Sequence, residues 1–376
     1  MADFKAATIT TPGAAQAREL RRHQGIPGVE IMPDGTIFVC FYANNEPGEG
    51  PGNYALVARS TDGGRSWKEV TCIIPPGRER VFDPVLWRTP EGELLLFYAQ
   101  GASDGLHKPF DGRAGVWMTR LVASDAEKVA WAGPKRIADG VMMNKPTVLS
   151  DGSWVLPVAL WSIYPEKEFP DLKGKYRPNL LLTRDCGESF EFIPGPDVPE
   201  RTYDEHAVIE KRDGSWLIAV RTRRGARAVA TSDRGKSYSP VFRPFPGGAD
   251  SRFALRRLRS GRLCVVTHAV PEAACGETWK PPRADLGVWL SDDDGISWYG
   301  RLMLDEGRPG VSYPDFTQDA AGNIWIAYDR DRIKGNGQIL LARIAESDIT
   351  AGAPVTPGSF IKLLVDAFPF DPARQR

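Results

Sequence analysis

The sequence lacks features that would each point to a particular class of protein. Its 48 basic and 48 acidic side chains cancel, so it has no basic excess and no nucleic-acid partner is expected. No run of about 18 apolar residues occurs, so no membrane span is expected. The five cysteines are odd in number and show no CxxC spacing, so they predict reduced thiols and neither a metal site nor a cofactor. Helical periodicity is almost absent as well.

The first residues, MADFKAATITTPGAAQ, have no apolar signal core. A cytoplasmic location is therefore expected, although a signal peptide removed before this point would leave the same sequence. The oligomeric state has no signal in the sequence.

One short pattern, Ser/Thr-x-Asp-x-Gly-x-x-aromatic, occurs four times. The copies are STDGGRSW from Ser60, TRDCGESF from Thr183, TSDRGKSY from Thr231 and SDDDGISW from Ser291. The hydroxyl and the carboxylate can hydrogen-bond the backbone of a tight turn, and the glycine supplies a positive φ. The aromatic side chain then fills the apolar space beneath the turn. Four copies predict one repeated structural unit.

A longer repeat consists of an apolar run, a turn glycine and a second β-rich run, which is the pattern of a β-hairpin. The turn glycines are Gly35, Gly92, Gly152, Gly214, Gly261 and Gly322. Their spacing suits a four-stranded blade, so we predict an all-β fold, a six-bladed β-propeller that forms a single domain over residues 1–376. The short pattern should lie between the third and fourth strands of a blade. Blade two should carry a degenerate copy from Leu121.

Equal offsets from these glycines should place residues in rings around an axial cleft. Nine residues before the glycines lie Ile26, Asp83, Met143, Glu205, Arg252 and Tyr313, and seven residues after them lie Tyr42, Ala99, Ala159, Arg221, His268 and Asp329. Charged residues at this density would be costly in a purely structural channel, so the rings predict a functional cleft.

The short pattern resembles the Asp-box of sialidases and other β-propellers. The segment YDEHAVIEKRDGSWLIAVRTR resembles the sialidase hairpin that a catalytic Glu opens and an Arg closes, which implies these roles for Glu205 and Arg221. RADLGVWLSDDDGISW and SYPDFTQDAAGNIWIAYDR resemble the last two blades and match Arg283 and Tyr313. The resemblance implies a retaining exo-glycosidase of exo-α-sialidase type, with Tyr313 as nucleophile, Glu205 as its base and hydrogen-bond partner, and both arginines on the substrate carboxylate.

The sequence departs from the family in two places. Gly25 stands where the family has the first of three carboxylate-binding arginines, and Arg21 or Arg22 could substitute for it. The general acid has no clear match. Glu46, Glu49 and Asp83 are the candidates, since the loop after the first hairpin contains no Asp. We therefore expect the partner to be a terminal acidic sugar, either sialic acid or a related sugar. Ordinary sialosides should be poor substrates, and another ulosonic acid or a uronic acid is favoured.

Weaker candidates surround the same predicted cleft. The additional substrate contacts would be Arg252, His206, His268, Lys145 and Asp315, and Asp315 could also serve as the acid. No His-x-His spacing occurs, and no metal is expected.

Two other functions fit the same residues. A polysaccharide lyase on acidic glycans needs an arginine to neutralise a carboxylate and a base to remove the adjacent proton; Arg221, Arg252, Tyr313, His206 and His268 could supply them. A non-catalytic carbohydrate-binding propeller is the other alternative, because Asp-boxes occur in such proteins too.

Overall fold

The computed structural model describes residues 5–77, 79–101, 115–125, 128–161, 170–270, 282–333 and 335–369. The strands of this part of the chain form six antiparallel sheets, each made from consecutive strands. These sheets are the blades of a six-bladed β-propeller, so the predicted fold class is confirmed. The only α-helix among the described residues is short, Glu346–Ala351 (α1).

The residues form two compact units. Unit 1 comprises Met1–Val141, Tyr313–Arg343 and Lys362–Arg376, and unit 2 comprises Met142–Ser312 and Ile344–Ile361. The prediction of a single domain is not tested by this division and stays a prediction.

Unit 1 contains sheets 1, 2 and 6. Sheet 1 consists of Thr8–Thr10 (β1), His23–Ile31 (β2), Ile37–Asn44 (β3), Tyr54–Ser60 (β4) and Lys68–Ile74 (β5). Sheet 2 consists of Arg80–Arg88 (β6), Leu94–Gly101 (β7), Val116–Ser124 (β8), Val129–Trp131 (β9) and Lys135–Ala138 (β10). Most of sheet 6 also belongs here, and that sheet consists of Val311–Gln318 (β23), Ile324–Arg330 (β24), Gln338–Ile344 (β25) and Phe360–Asp366 (β26).

Unit 2 contains sheets 3, 4 and 5. Sheet 3 consists of Val141–Met142 (β11), Thr147–Val148 (β12), Trp154–Ala159 (β13), Pro178–Thr183 (β14) and Glu191–Ile193 (β15). Sheet 4 consists of Ala207–Glu210 (β16), Trp216–Thr222 (β17) and Gly225–Thr231 (β18). Sheet 5 consists of Ala254–Arg257 (β19), Leu263–His268 (β20), Leu286–Ser291 (β21) and Tyr299–Asp305 (β22).

All six predicted turn glycines lie in the predicted hairpins. Each has a positive φ between 79° and 93°, and each donates its N–H to the carbonyl three residues earlier. The chain therefore needs glycine at these turns, because an L side chain is disfavoured in the left-handed region.

The Asp-boxes have the predicted hydrogen bonds. In the first box, Ser60 accepts the N–H of Gly64 at 2.9 Å, and Asp62 accepts both the N–H and the hydroxyl of Ser66, at 3.0 and 2.6 Å. The other three boxes repeat these contacts. The sequence analysis missed the serine that precedes each aromatic residue. Hydrogen bonds to this serine are the main reason that the pKa of Asp185 falls to about 2.

The position of the boxes within the blades is also as predicted. The boxes lie between β4 and β5 in sheet 1, between β14 and β15 in sheet 3, and between β21 and β22 in sheet 5. These are the third and fourth strands of each sheet when the extra strands β1 and β11 are not counted. In sheet 4, where the described residues form three strands, an isolated bridge between Ala228 and Phe242 follows the box. In sheet 2 the degenerate copy from Leu121 lies at the end of β8, and its residues 126 and 127 lie outside the described residues.

Each unit has its own apolar core between its sheets. In unit 1, Phe38, Val57, Leu86, Leu96 and Tyr98 belong to one buried cluster. Residues of β16, β17, β19, β20 and β21 form a second cluster in unit 2.

Three further findings concern the described residues only. None of their helices is long and apolar enough to cross a membrane. Their cysteines Cys40, Cys72, Cys186 and Cys264 form no disulfide, and no group of three or more His, Cys, Asp or Glu side chains within these ranges could hold a metal ion.

Candidate functional site

In each sheet of unit 1, one strand has a strained residue near its start, directly before a proline: Ile26 in β2, Asp83 in β6 and Tyr313 in β23. Ile26, Asp83 and Tyr313 have φ angles of 54°, 49° and 54°. A positive φ is uncommon for any non-glycine residue and an outlier for β-branched Ile26, and it costs about 1–3 kcal/mol at each position. The pairing register shifts at Ile26 and at Asp83, as at a β-bulge. Such bulges re-aim side chains and are frequent beside active sites, so they mark this edge of unit 1 as a candidate site.

Two carboxylates of sheet 6 hold the bulged strand β2 in place. Asp329 accepts the backbone N–H of Ile26 at 2.9 Å, and Asp315 accepts that of Val29 at the same distance. Asp315 is 4% exposed. This contact gives Asp315 a structural role in addition to the substrate contact predicted from the sequence.

A buried arginine, Arg332, lies at the centre of a polar cluster in unit 1. Its Nη1 donates to Oε1 of Glu49 at 2.5 Å and to the hydroxyl of Tyr42 at 3.1 Å. Its Nε lies 3.3 Å from Oδ2 of Asp329. Its Cζ lies 4.7 Å from the centre of the Tyr313 ring, within the range of a cation–π contact. The predicted nucleophile therefore lies beside a guanidinium that the sequence analysis did not single out.

Glu49 is held as a carboxylate in this cluster. Burial alone would raise the pKa of Glu49, but the guanidiniums of Arg332 and Arg80 and a hydrogen bond from Tyr42 lower it to about 2. The Tyr42 hydroxyl donates this bond at 2.5 Å, because burial holds the pKa of Tyr42 well above its ordinary value. Glu49 thus fits an ion-pair partner of arginine better than the proton donor predicted from the sequence.

In unit 2, two predicted arginines meet at Asp250. Nη1 of Arg221 donates to Oε1 of Glu205 at 2.6 Å, and its Nε donates to Oδ1 of Asp250 at 2.7 Å. Arg283 donates from Nε and Nη2 to the backbone carbonyl of Asp250, at 3.2 and 2.9 Å. The Tyr203 ring lies 4.7 Å from Cζ of Arg221. The structure therefore brings Glu205, Arg221 and Arg283 together.

The other predicted contacts of unit 2 lie beside this group. Asn144 donates to the backbone carbonyls of Glu205 and His206, at 3.0 Å each. Its neighbour Lys145 is 5% exposed. Arg252 is buried and donates to the carbonyl of Met143 at 2.8 Å, so this side chain holds backbone in the structure.

The two predicted histidines are buried and hydrogen-bonded to backbone. Nε2 of His206 lies 2.7 Å from the carbonyl of Asn179, and Nε2 of His268 lies 3.0 Å from that of Val311. Burial lowers the pKa of each imidazole to about 4, so both are neutral at neutral pH. A neutral, buried imidazole of this kind contributes no positive charge toward a sugar carboxylate.

Asp204 is a residue that the sequence analysis missed. It is fully buried, has a φ of 58°, and its carboxylate lies 3.6 Å from Nε of Arg201. Burial raises the pKa of Asp204 to about 7 despite the attraction of Arg201. Its only signal in the sequence is its position directly before Glu205.

The predicted site residues are divided between the two units. Tyr313, Glu49, Asp83 and Asp315 belong to unit 1, whereas the remaining candidates, Glu205, Arg221, Arg283, Arg252, His206, His268 and Lys145, belong to unit 2. The predicted hydrogen bond between Tyr313 and Glu205 stays a prediction.

Arg21 does not fill the place that Gly25 leaves. Its Nη2 lies 2.6 Å from Glu69 and its Nη1 lies 3.4 Å from Asp366. With its side chain fully buried between these carboxylates, Arg21 is a structural residue of unit 1.

Six antiparallel blades, four regular Asp-boxes and buried arginine–carboxylate clusters define a β-propeller of the Asp-box class. The chain belongs to the BNR repeat-like domain family, which its residues 56–326 match.

The sequence is 22% identical over 349 residues to a sialidase of Micromonospora viridifaciens. The match covers 84% of this chain and 51% of that protein, so the chain spans about half the length of this curated relative.

Solved sialidase structures are similar in fold. A Hadza microbial sialidase superposes with a TM-score of 0.67 at 17% identity, covering 87% of this chain and 66% of that one. The intramolecular trans-sialidase of Ruminococcus gnavus superposes with a TM-score of 0.63 at 13% identity, covering 93% and 99%. At these identities the likeness shows the fold alone.

Proposed function

We propose that the protein is a sialidase-like retaining exo-glycosidase that hydrolyses a terminal acidic sugar. The observation that carries the proposal is the placement of Tyr313. This tyrosine, near the start of β23, has a strained φ of 54°, and Cζ of Arg332 lies 4.7 Å from the centre of its ring. Strain of this size persists only where the surroundings enforce it, and it is concentrated at active sites.

The proposed reaction has two displacements. The hydroxyl oxygen of Tyr313 forms a bond to the anomeric carbon while the bond to the leaving oxygen breaks, and Glu205 accepts the hydroxyl proton. A general acid protonates the leaving oxygen; Asp83 and Glu46 are the candidates, because Glu49 is held ionised by two guanidiniums. Water then cleaves the tyrosyl glycoside, which restores the original anomeric configuration.

The guanidiniums of the two clusters support an acidic substrate. Arg332 in unit 1 and Arg221 in unit 2 are buried, and Arg283 lies beside Arg221 through their shared partner Asp250. Guanidiniums bind carboxylates bidentately. A neutral phenol as nucleophile suits such a substrate, since a carboxylate nucleophile would repel an anionic sugar. The similarity to sialidases supports the same substrate class.

The test is hydrolysis of aryl glycosides of sialic acid, another ulosonic acid and glucuronic acid. Tyr313→Phe should reduce turnover to the assay background while the melting temperature stays near that of the wild type, because only one hydroxyl is removed. Glu205→Gln should lower kcat about 10²–10⁴-fold, as expected for a lost proton acceptor. Tyr98→Phe is the matched control, since Tyr98 is fully buried in the unit 1 core and stacks on Trp117.

Full activity of Tyr313→Phe would contradict the nucleophile assignment. Nuclear magnetic resonance of the released sugar distinguishes the reactions, because hydrolysis yields a saturated sugar with its anomeric carbon free. A lyase would yield an unsaturated sugar. A wild-type protein that binds these sugars without cleaving any of them would contradict the proposal in favour of a carbohydrate-binding propeller.

A further inference from the structure

Gly25 lies where the side chain of Arg332 passes. A Cβ atom at residue 25 would be 2.0 Å from Cδ and 2.8 Å from Cγ of Arg332, and 2.8 Å from Oδ2 of Asp329. These separations are far below a van der Waals contact, so any larger residue would displace the arginine. Gly25 does not have the positive φ that would require glycine for backbone reasons. Glycine is therefore needed at position 25 because the side chain of Arg332 occupies the volume that a Cβ atom would fill.

The guanidinium at the end of this side chain is held in a fixed orientation. Nε of Arg332 lies 3.3 Å from Asp329, which in turn holds the bulge at Ile26. The Arg332 side chain is 6% exposed and Cζ lies over the ring of Tyr313. A guanidinium fixed in this way loses little side-chain entropy when an anion binds.

Three side chains of this cluster, those of Arg332, Tyr42 and Arg80, already hold the carboxylate of Glu49. Oε1 of Glu49 accepts from Arg332 and from the Tyr42 hydroxyl at 2.5 Å each, and Oε2 lies 3.6 Å from Nη1 of Arg80. Glu49 lies in the loop between β3 and β4, and its side chain is 28% exposed. Glu49 is thus the member of the cluster that can leave toward solvent, while the arginine remains in place.

We propose that Arg332, whose side chain has room only because residue 25 is glycine, binds the carboxylate of the acidic sugar. In the absence of the sugar, the Glu49 carboxylate occupies this binding position, and the sugar displaces it. The proposal rests on the proposed function and names the residue that supplies the arginine missing at position 25. It assigns Glu49 the role of an internal competitor. The two guanidiniums and the hydroxyl that hold Glu49 are the donors that a sugar carboxylate requires.

The experiment is calorimetric titration with N-acetylneuraminic acid and glucuronic acid, and with the methyl ester of each. The wild type should bind an acid more tightly than its ester. Arg332→Ala should weaken binding of the acid about 10–100-fold, the effect of losing charge-assisted hydrogen bonds, and leave the ester nearly unchanged. Arg330→Ala is the matched control, because this arginine lies on the adjacent strand β24 and pairs with Gln338 at 2.9 Å.

Further variants, single and combined, test the roles of Gly25 and Glu49. Gly25→Ala should lose acid binding in the wild-type background but have no further effect when combined with Arg332→Ala, because the two residues share one space. Glu49→Gln should bind the acid more tightly than the wild type, since the competing carboxylate is neutralised. Gly25→Arg combined with Arg332→Ala should recover part of the acid preference, which keeps the test valid if Arg332→Ala alone unfolds.

The outcomes separate this inference from the proposed function. If the wild type prefers the acid and Arg332→Ala retains that preference, the assignment of Arg332 is wrong while the proposed function stands. Additive effects of Gly25→Ala and Arg332→Ala, or weaker acid binding by Glu49→Gln, also overturn it. If the wild type neither prefers the acids nor cleaves their glycosides, the proposed function fails and the inference with it.

Discussion

At the scale of single residues, the clusters combine strained backbone with buried charge. Tyr313 and Asp83 have positive φ, and Arg332 and Arg221 are buried and each paired with carboxylates. Removing one member of such a pair leaves the other charge buried and unpaired, which costs several kcal/mol. Replacing a buried ion pair with apolar residues of similar volume is often neutral for stability, so these pairs support the proposed binding role.

Asp204 makes the stability of the protein depend on pH. Burial raises the pKa of Asp204 from 3.8 to about 7. Below pH 4 the carboxyl is protonated in both states and carries no penalty. As the pH rises from 4 to 7, the unfolded chain loses this proton and the folded chain keeps it, so this contribution to stability falls. Above pH 7 the folded protein carries the full cost of a buried charge.

Asp204→Asn should therefore be more stable than the wild type above pH 7, by roughly 1–4 kcal/mol, with the difference vanishing toward pH 4. Asparagine also tolerates the φ of 58° at this position. Urea unfolding at a series of pH values measures this difference. Asp197→Asn is the control, because Asp197 pairs with the same Arg201 at 3.2 Å but its side chain is 73% exposed. Equal pH slopes for Asp204→Asn and the wild type would contradict the prediction.

Arg332 and Asp250 were missed by the sequence analysis because their partners are far away in the sequence. The resemblance implies that Gly25 stands in the place of an arginine, but nothing in the sequence links Gly25 to Arg332, some 300 residues away. Neither Asp250 nor Asp204 lies at one of the two repeated offsets from the turn glycines. By contrast, Glu205, Arg221 and Arg283 were found from their local segments, and the structure places them in one cluster.

At the scale of elements, the sequence predicted the hairpins because each carries its own turn residue. A glycine at a left-handed turn position and a hydroxyl–carboxylate pair in an Asp-box act within a few residues of each other, so their pattern is readable without the fold. Ile26, Asp83 and Tyr313 lie at one of the predicted offsets from the turn glycines, yet the strain of their backbone was not foreseen. The signal was present as a proline directly after Ile26, Asp83 and Tyr313.

The hairpin glycines allow a matched stability test. Gly152 has a φ of 84° and open space around its Cβ position, so Gly152→Ala should cost about 1–2 kcal/mol from backbone strain alone. Gly133 also has open space, but its φ is not in the left-handed region, so Gly133→Ala should be close to neutral. Midpoints of denaturant unfolding measure both. A neutral Gly152→Ala would show that the turn relaxes without cost.

At the scale of the whole molecule, the path of the chain bears on the predicted single domain. Unit 1 is assembled from three stretches of chain and unit 2 from two. The strands β23 and β26 each begin in unit 2 and continue into unit 1. Neither unit is therefore one continuous piece of sequence, as an independent domain usually is.

From this path we predict that the intact chain unfolds in one cooperative transition. Loss of either unit would release the ends of β23 and β26, strands that sheet 6 needs, so the two should lose structure together. Differential scanning calorimetry should give equal calorimetric and van 't Hoff enthalpies, and fluorescence and circular dichroism should report the same midpoint. Gly152→Ala in unit 2 should shift the whole transition without dividing it. Two separate transitions, with only one of them moved by this substitution, would show that the units are independent domains and that the single-domain prediction is wrong.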